Sequence, residues 1–276
     1  MNRQVVNQSI DYILEHFDEN LTVRDVAAHF HFSEFYFCRS FKAMTGKSVY
    51  EFIMRLKMDQ SAVDIKLRRH ESLTDIGLDY GYSSSNFSVA FRKFHHVSPL
   101  VFRKRNNVSG RANPFYVSGR AAFDSYEDFS HRIQIQQIRN LTVIYERFVG
   151  SYVNLKQQWP AFLERYQEYI TPGALFLERF YDDPAIARLD NCVYDICVTV
   201  EGDCALENQT TIPGGNYAVY HYEGSIPDIF CSIQGVFSVW LPQSGYTMAR
   251  RYGLNVYPQK PENADTVVFE LCIPIK

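Results

Sequence analysis

The polar and apolar positions of the N-terminal half repeat a pattern of two helices separated by a short turn. Phe87, Phe91 and Phe94 recur at helical spacing, which predicts a helix with one apolar stripe and one polar face. Gly81 supplies the turn before this helix, and the serines at 83–85 offer side-chain caps. Residues 73–103 therefore predict a helix–turn–helix, whose second helix has the shape that enters a DNA major groove.

The same pattern occurs fifty residues earlier in the chain, without a gap. The matched pairs cover the core, the turn and the cap, and they are Val26 with Ile76, Phe30 with Tyr80, Phe32 with Tyr82, Ser33 with Ser83, Phe37 with Phe87, Phe41 with Phe91, Lys42 with Arg92, Ser48 with Ser98, and Phe52 with Phe102. Such a repeat indicates two copies of one structural unit. Two helical hairpins that pack together for stability alone are the alternative.

The outward positions of the two second helices are the candidate DNA contacts. They are Phe35, Tyr36, Cys38, Arg39 and Lys42 in the first copy, and Ser85, Asn86, Val89 and Arg92 in the second. Arg39 can bind a guanine edge with two hydrogen bonds, and Phe35 or Cys38 can touch a thymine methyl group. Lys42 can meet a phosphate. The alternatives are a surface salt bridge for Arg39 and a partly buried rim for Phe35 and Tyr36.

The segment between the two units contains no helix breaker from residue 49 to residue 69. A helix of this length is roughly 31 Å long, at ~1.5 Å per residue. This length is close to the ~34 Å between successive major-groove faces. One chain could therefore place both second helices on the same side of a DNA duplex.

Short motifs in both copies carry a family resemblance. They are Phe37-x-Arg39-x-Phe41-Lys42, Thr45-Gly46-Lys47-Ser48, Asp75-Ile76-Gly77, Tyr80-Gly81-Tyr82-Ser83, Ala90-Phe91-Arg92-Lys93 and Val97-Ser98-Pro99. In these motifs, residues 8–105 resemble the paired helix–turn–helix region of the AraC/XylS family of bacterial transcription regulators. The resemblance implies sequence-specific binding of double-stranded DNA, with RNA polymerase as an expected partner.

The C-terminal half changes to a strand pattern that occurs twice. Strands at 141–145 and 193–200 flank a helix at 154–169, and strands at 216–220 and 267–273 flank a helix that ends near residue 241. This weak duplication predicts an antiparallel sheet with two helices on one face. We therefore predict a multidomain chain, with an all-α DNA-binding domain over residues 1–106, a linker over 107–130 and an α+β domain over 131–276.

Glu270 is the candidate anchor of a binding site in this second half. Val267, Phe269, Leu271 and Ile273 share one face of their strand by alternation, so Glu270 faces the other way. A carboxylate in such a place suits a cation, and aromatic walls suit a cationic ligand. The candidate ligand-binding residues are Glu270, Trp159, Tyr194, Tyr220, Trp240 and Tyr252. The alternatives are an ion pair of Glu270 with Arg250, Arg251 or Arg179, and a plain core role for the aromatic side chains.

Further motifs in this half resemble the GyrI-like small-molecule-binding domain over residues 131–276. They are Gly224-Ser225, Trp240-Leu241-Pro242-x-x-Gly245-Tyr246, Tyr257-Pro258 and Glu270-Leu271-Cys272-Ile273-Pro274. The resemblance implies an aromatic, often cationic, small-molecule effector that controls the regulator. Because a few members of that family are hydrolases, a Glu and Tyr acid–base pair is an alternative. A domain that only recruits a protein partner is another.

Composition limits the remaining classes. The net charge of −3 divides into +3 for residues 1–106 and −6 for residues 107–276, so the basic part coincides with the repeated motif. No apolar run is long enough to span a membrane, and the six cysteines show no zinc-site spacing. We therefore expect a cytoplasmic, non-enzymatic monomer or homodimer that needs no metal or cofactor.

Overall fold

The computed structural model describes residues 1–104, 123–183, 186–249, 252–260 and 266–276. These residues form two compact units, one on each side of residues 105–122. The helices of the N-terminal unit are α1 (Arg3–His16), α2 (Val23–His29), α3 (Glu34–Thr45), α4 (Val49–Leu67), α5 (Leu73–Asp79), α6 (Ser84–His95) and α7 (Pro99–Lys104). The all-α class expected for this half of the chain is confirmed, with two helix–turn–helix units at α2–α3 and α5–α6.

Local signals fix the ends of several of these helices. The Thr22 hydroxyl accepts a hydrogen bond from the Asp25 N–H at 3.2 Å, while the Asp25 carboxylate accepts one from the Thr22 N–H at 2.9 Å. Ser48 and Glu51 form the same reciprocal cap at the start of α4. Gly46 ends α3 in the left-handed conformation, with φ 73°.

The two helix–turn–helix units pack in the same way. In the first unit, Phe41 meets Phe52 edge-on, with ring centroids 5.5 Å apart and planes at 75°. In the second unit, Phe91 meets Phe102 with the same separation of 5.5 Å and planes at 72°. Because all four rings are buried, the sequence repeat is also a repeat of the core packing.

Helix α4 connects the two units through buried polar side chains. The Lys57 ammonium donates to the carbonyl of Glu19 at 3.0 Å and to the carbonyl of Tyr80 at 3.3 Å, and burial lowers the pKa of Lys57. The Tyr80 hydroxyl in turn donates to the Asp64 carboxylate at 2.6 Å. Lys57 therefore joins the segment after α1 to the end of α5.

The C-terminal unit is built on an antiparallel sheet with helices packed against one face. Among the described residues, its elements are α8 (Tyr126–Arg132), β1 (Ile133–Ile138), β2 (Leu141–Gly150), α9 (Leu155–Arg165), β3 (Phe176–Phe180), β4 (Cys192–Thr199), β5 (Gln209–Ile212), β6 (Gly215–Ser225), α10 (Ile226–Gly235), β7 (Gly253–Tyr257) and β8 (Thr266–Pro274). The eight strands follow the order β1-β6-β8-β7-β3-β4-β2-β5. The antiparallel α+β architecture expected from the sequence is confirmed.

The helices of this unit differ from the sequence prediction in their details. Helix α9 stops at Arg165, and a separate 3₁₀ turn follows at Gln167–Tyr169. The helix expected to reach residue 241 becomes a π-helix over Val236–Trp240, a form that periodicity does not reveal. Helix α8 occupies the end of the segment predicted as a linker, while residues 105–122 of that segment lie outside the described residues.

One long ribbon connects the two ends of the sheet order. The pairs Ile133↔Tyr220 and Leu141↔Ile212 keep a single register, so β1–β2 and β5–β6 run together through a bend. At the bend, a Cβ on Gly214 would lie 2.4 Å from the Ile138 carbonyl oxygen, so only glycine fits there. Buried side chains from β2, β5 and β6 accordingly share one cluster on one side of the sheet, which we call the inner face.

The other side, the helix face, carries α8, α9 and α10. Phe129 of α8 contacts Tyr220, and Trp159 of α9 contacts Phe176 and Tyr257. Alternation along each strand therefore decides whether a side chain lies on the helix face or on the inner face.

Candidate functional site

The second helix of each helix–turn–helix unit presents the predicted contact residues to solvent. On α3, Phe35 is 79% exposed and Tyr36 is 44% exposed, and Arg39 and Lys42 are also exposed. Cys38 is half-buried, and burial raises the pKa of its thiol. The α3 side chains thus form one surface that combines aromatic and cationic groups.

Helix α6 offers a different surface chemistry at equivalent positions. Val89 is 71% exposed, and Ser85, Asn86 and Arg92 are exposed as well. Hydroxyl and amide groups near the start of α6 can bind phosphate oxygens or base edges, and Val89 can contact only apolar groups. Helices α3 and α6 therefore expose different side chains at equivalent positions of two similar helix–turn–helix units.

The turn before each of these helices uses the left-handed conformation. Gly81 has φ 79°, and His31 has φ 58° at the matching position of the first unit. A Cβ on Gly81 would also lie 2.9 Å from the Asn20 side-chain oxygen. The second turn therefore requires glycine, whereas the first tolerates a strained histidine.

We expect Gly81→Ala to lower the free energy of unfolding by about 1–2 kcal/mol, because a Cβ is strained at this φ. His31→Gly is the matched control. It relieves the same strain but adds freedom to the unfolded chain, so stability should rise by up to about 1 kcal/mol. Urea denaturation of both variants measures the difference, and an equal loss in both would contradict the role of the turn geometry.

The structure separates the predicted ligand-binding residues of the C-terminal unit. Glu270 lies on the inner side of β8, opposite His221 of β6, and its Oε1 is 2.7 Å from the His221 Nδ1. Both side chains are well exposed, at 39% for Glu270 and 54% for His221. Tyr252 lies under the Arg179 guanidinium, 5.8 Å from its ring centroid, on the same side of the sheet. Because Glu270 lies on the inner face, the sheet separates it from the helices that carry Trp159 and Trp240.

The other candidates lie on the helix face. Tyr220 accepts a hydrogen bond from Arg132 at 3.1 Å, and Trp240 stacks on Tyr246 at 6.2 Å. The Tyr194 hydroxyl donates to the Gln158 side-chain oxygen of α9 at 2.8 Å. Burial raises the pKa of Tyr194 to about 12.

On the helix face, Trp159 contacts a buried acidic group, the carboxyl of Glu178. The Trp159 Nε1–H donates to Oε1 of Glu178 at 3.0 Å. Asn255 Nδ2 and the Tyr257 hydroxyl donate to Oε2 at 3.1 and 2.8 Å. Glu178 is only 7% exposed, so its carboxyl is buried among three neutral donors.

Burial raises the pKa of Glu178, and the three hydrogen bonds lower it to a smaller extent. Within the described part of the chain, no lysine or arginine side chain forms an ion pair with this carboxyl. Around it, the Trp159 ring meets Phe162, Phe176 and Tyr257 edge-on. The carboxyl of Glu178 is therefore an acidic group that has aromatic neighbours and no cationic partner among the described residues.

The sequence prediction missed Glu178, although a signal was present. Phe176, Glu178 and Phe180 alternate with Leu177 and Arg179, so a strand here places Glu178 between two phenylalanines on one face. Its partners Asn255 and Tyr257 lie in β7, which pairs with β3 only in the folded sheet.

The inner face holds a second buried charged group. Arg147 binds both carboxylate oxygens of Asp195, at 2.8 and 3.0 Å, and the Arg179 Nε donates to Asp195 at 2.7 Å. The Tyr181 hydroxyl donates to the same carboxylate at 3.2 Å. Burial opposes ionisation of Asp195, but the two guanidinium groups outweigh it and hold its pKa below the usual range. Arg179, considered above as a partner of Glu270, therefore pairs with Asp195 instead. Arg250 and Arg251, the other two arginines considered, lie outside the described residues.

The described residues also contain no metal site, no membrane-spanning helix and no disulfide bond. They contain no group of three His, Cys, Asp or Glu side chains able to hold a metal ion. None of their helices is both long and apolar enough to cross a membrane. The six cysteines all lie in described segments and are free thiols.

Comparison with protein families agrees with this geometry. Residues 131–276 match the model of the GyrI-like small molecule binding domain, and residues 26–105 match a helix-turn-helix domain. The first match covers more than half of the chain. The chain therefore belongs to the GyrI-like family, and its N-terminal unit is an AraC-type helix–turn–helix domain. Both resemblances expected from the sequence are confirmed.

Curated relatives match a little more than a third of the chain. An uncharacterized HTH-type transcriptional regulator of Staphylococcus aureus (strain COL) is 30% identical over 104 residues, which are 37% of this chain and 14% of that protein. The regulatory protein SoxS of Salmonella typhimurium is 30% identical over 105 residues, which are 38% of this chain and 97% of SoxS. The chain thus spans only 14% of the length of the first such relative.

Among solved structures, the C-terminal domain of EcmrR is similar to part of this chain. It is 14% identical, and the match covers 52% of this chain and 96% of that domain with a TM-score of 0.45. This score is too low to carry a functional comparison.

Proposed function

We propose that this protein is a sequence-specific DNA-binding transcription regulator whose C-terminal unit binds a small aromatic cation beside Glu178. The carboxyl of Glu178 carries the proposal, because it is buried, is surrounded by aromatic rings and pairs with no cationic side chain of the described residues. A buried acidic group of this kind is costly until a cation pairs with it, and aromatic faces attract cations.

The arrangement of donors indicates how the effector would act. A cation that approaches Oε1 of Glu178 would replace the Trp159 indole N–H, which holds that oxygen at 3.0 Å. Trp159 belongs to α9, so binding would favour a different position of this helix. An effector regulates only if it binds two states of the protein unequally, and the position of α9 is the candidate difference.

The test is a ligand panel applied to the full chain on a DNA site selected from a random pool. The panel contains aromatic cations, uncharged aromatics of the same shape and aromatic anions. We expect the cations alone to raise the thermal midpoint and to change the affinity for the selected DNA. A panel without any active cation would contradict effector binding, and loss of preference for the selected site would contradict specific DNA binding. Contact with RNA polymerase stays a prediction.

On the DNA side, Arg39→Ala should weaken binding to the selected site by about 1–3 kcal/mol and relax the preference for one base. The reason is that Arg39 is exposed on α3 beside Phe35, where a guanidinium can hydrogen-bond a guanine edge. Arg188→Ala is the charge-matched control, since Arg188 is exposed on the other unit and pairs with Asp190. Fluorescence anisotropy on selected and scrambled duplexes measures both, and an equal loss on the two duplexes would refute base reading.

A further inference from the structure

The two strands at the ends of the sheet order are protected to different degrees. β5 is short, at four residues, and Pro213 and Gly214 follow it directly. β1 has six residues and pairs only with β6. In an antiparallel pair, half of the backbone groups of an edge strand point away from the neighbour. Within the described residues, no other segment takes the outward backbone groups of β1.

The sequence of β1 lacks the usual protection of such an edge. Natural edge strands carry proline, inward charges or bulges that prevent pairing with another chain. β1 reads Ile-Gln-Ile-Gln-Gln-Ile, with neither charge nor proline. Ile135, in its middle, is 46% exposed, although the opposite residue on β6, Ala218, is buried. An exposed isoleucine therefore lies in the middle of an open, uncharged edge strand.

We propose that β1 pairs with β1 of a second copy of this chain, antiparallel and around a two-fold axis at Ile135. In this register Ile135 lies opposite its own copy, and Gln134 lies opposite Gln136. Directly opposite residues point to the same face of a sheet. A register shifted by one residue would therefore place a helix-face residue of one copy opposite an inner-face residue of the other, and we exclude such registers. The register centred on Ile135 obeys this rule and also covers the exposed isoleucine. The helix face of one protomer then continues into the helix face of its partner.

The chemistry of the strand favours a second copy over another partner. A two-fold interface needs a patch that complements itself, and a neutral strand with a central isoleucine flanked by glutamines does so. Partner choice across interfaces depends largely on complementary charge, and these six residues offer none to an unlike partner. Within these six residues, the symmetric pair joins glutamine amides and isoleucine side chains without placing like charges opposite each other.

Sedimentation equilibrium of the full chain tests the proposal. The wild type should approach twice the chain mass of 32.1 kDa as its concentration rises. Ile135→Lys places two ammonium groups opposite each other and should raise the dimer dissociation constant at least ~10-fold. Val268→Lys is the control, because Val268 is 38% exposed on β8, which has a neighbour on both sides. The control should sediment like the wild type.

A cross-linking experiment fixes the register. Ile135→Cys should form a disulfide-linked dimer under mild oxidation, since facing residues of an antiparallel pair lie within disulfide distance. Val268→Cys gives the background from the six native thiols. A monomeric wild type, an unchanged dissociation constant in Ile135→Lys, or equal cross-linking of the two cysteine variants would each overturn the proposal. None of these outcomes depends on DNA or effector binding.

Discussion

Glu178→Gln is expected to weaken the binding of an aromatic cation by about 2–5 kcal/mol, because it removes a buried charge that pairs with the ligand. The variant should still fold. Its new amide N–H groups would face Asn255 and Tyr257, and the Asn255 side-chain oxygen is buried without a hydrogen-bond donor among the described residues. A turn of the Asn255 amide would bring that oxygen to the new donor. Isothermal titration of the most active compound from the panel measures the loss.

The pH dependence gives this prediction its specific signature. Burial raises the pKa of Glu178 in the folded protein, so the folded state holds its proton to higher pH than the unfolded chain does. Stability relative to the glutamine variant is therefore highest below the unfolded pKa of about 4.3 and falls as the pH rises through the folded value. Cation binding requires the ionised carboxyl, so affinity should increase over the same pH window.

Glu270→Gln is the matched control for Glu178→Gln. Both residues are glutamates of one sheet, but Glu270 is partly exposed beside His221 on the other face. We expect this variant to bind the cation like the wild type, at every pH. If Glu270→Gln abolished binding and Glu178→Gln did not, the effector site would lie on the inner face instead.

The N-terminal unit was predictable because its signals are local. Ser33 caps α3, and Gly46 ends this helix in the left-handed conformation. Phe37 and Phe87 are buried at matching positions of the repeat. Spacing, capping and turn residues act within a few positions of one another, so the sequence is sufficient to place these helices.

The C-terminal site was less predictable because its partners come from distant strands. Alternation correctly placed Phe269 and Leu271 in the core and turned Glu270 to the other face. It could not reveal that β6 brings His221 to Glu270, or that β7 brings Tyr257 to Glu178. Those contacts depend on the order of strands in the sheet, which no local pattern encodes.

The buried cluster on the inner face leads to the largest expected loss of stability. Asp195→Asn should lower the free energy of unfolding by about 3–5 kcal/mol, since it leaves the buried guanidinium groups of Arg147 and Arg179 without a countercharge. Asp190→Asn is the control. Its partner Arg188 is 60% exposed, and surface pairs contribute at most about 1 kcal/mol. Urea denaturation at neutral pH measures both variants.

The same cluster also predicts a pH dependence of opposite sign to that of Glu178. The arginines hold the pKa of Asp195 below its usual range, so its contribution is present above the unfolded pKa of about 3.9 and is lost as the pH falls through the folded value. Asp195→Asn should therefore lose less stability than the wild type on acidification.

A triple variant distinguishes two causes of the lost stability, which are an unpaired buried charge and poor packing. Arg147→Met, Arg179→Leu and Asp195→Leu together remove the whole cluster, and exchange of a buried ion group for apolar side chains is often neutral. We expect the triple variant to be more stable than Asp195→Asn alone, because the coupling between these residues is not additive. A triple variant less stable than the single one would show that shape, and not charge, sets the contribution of this cluster.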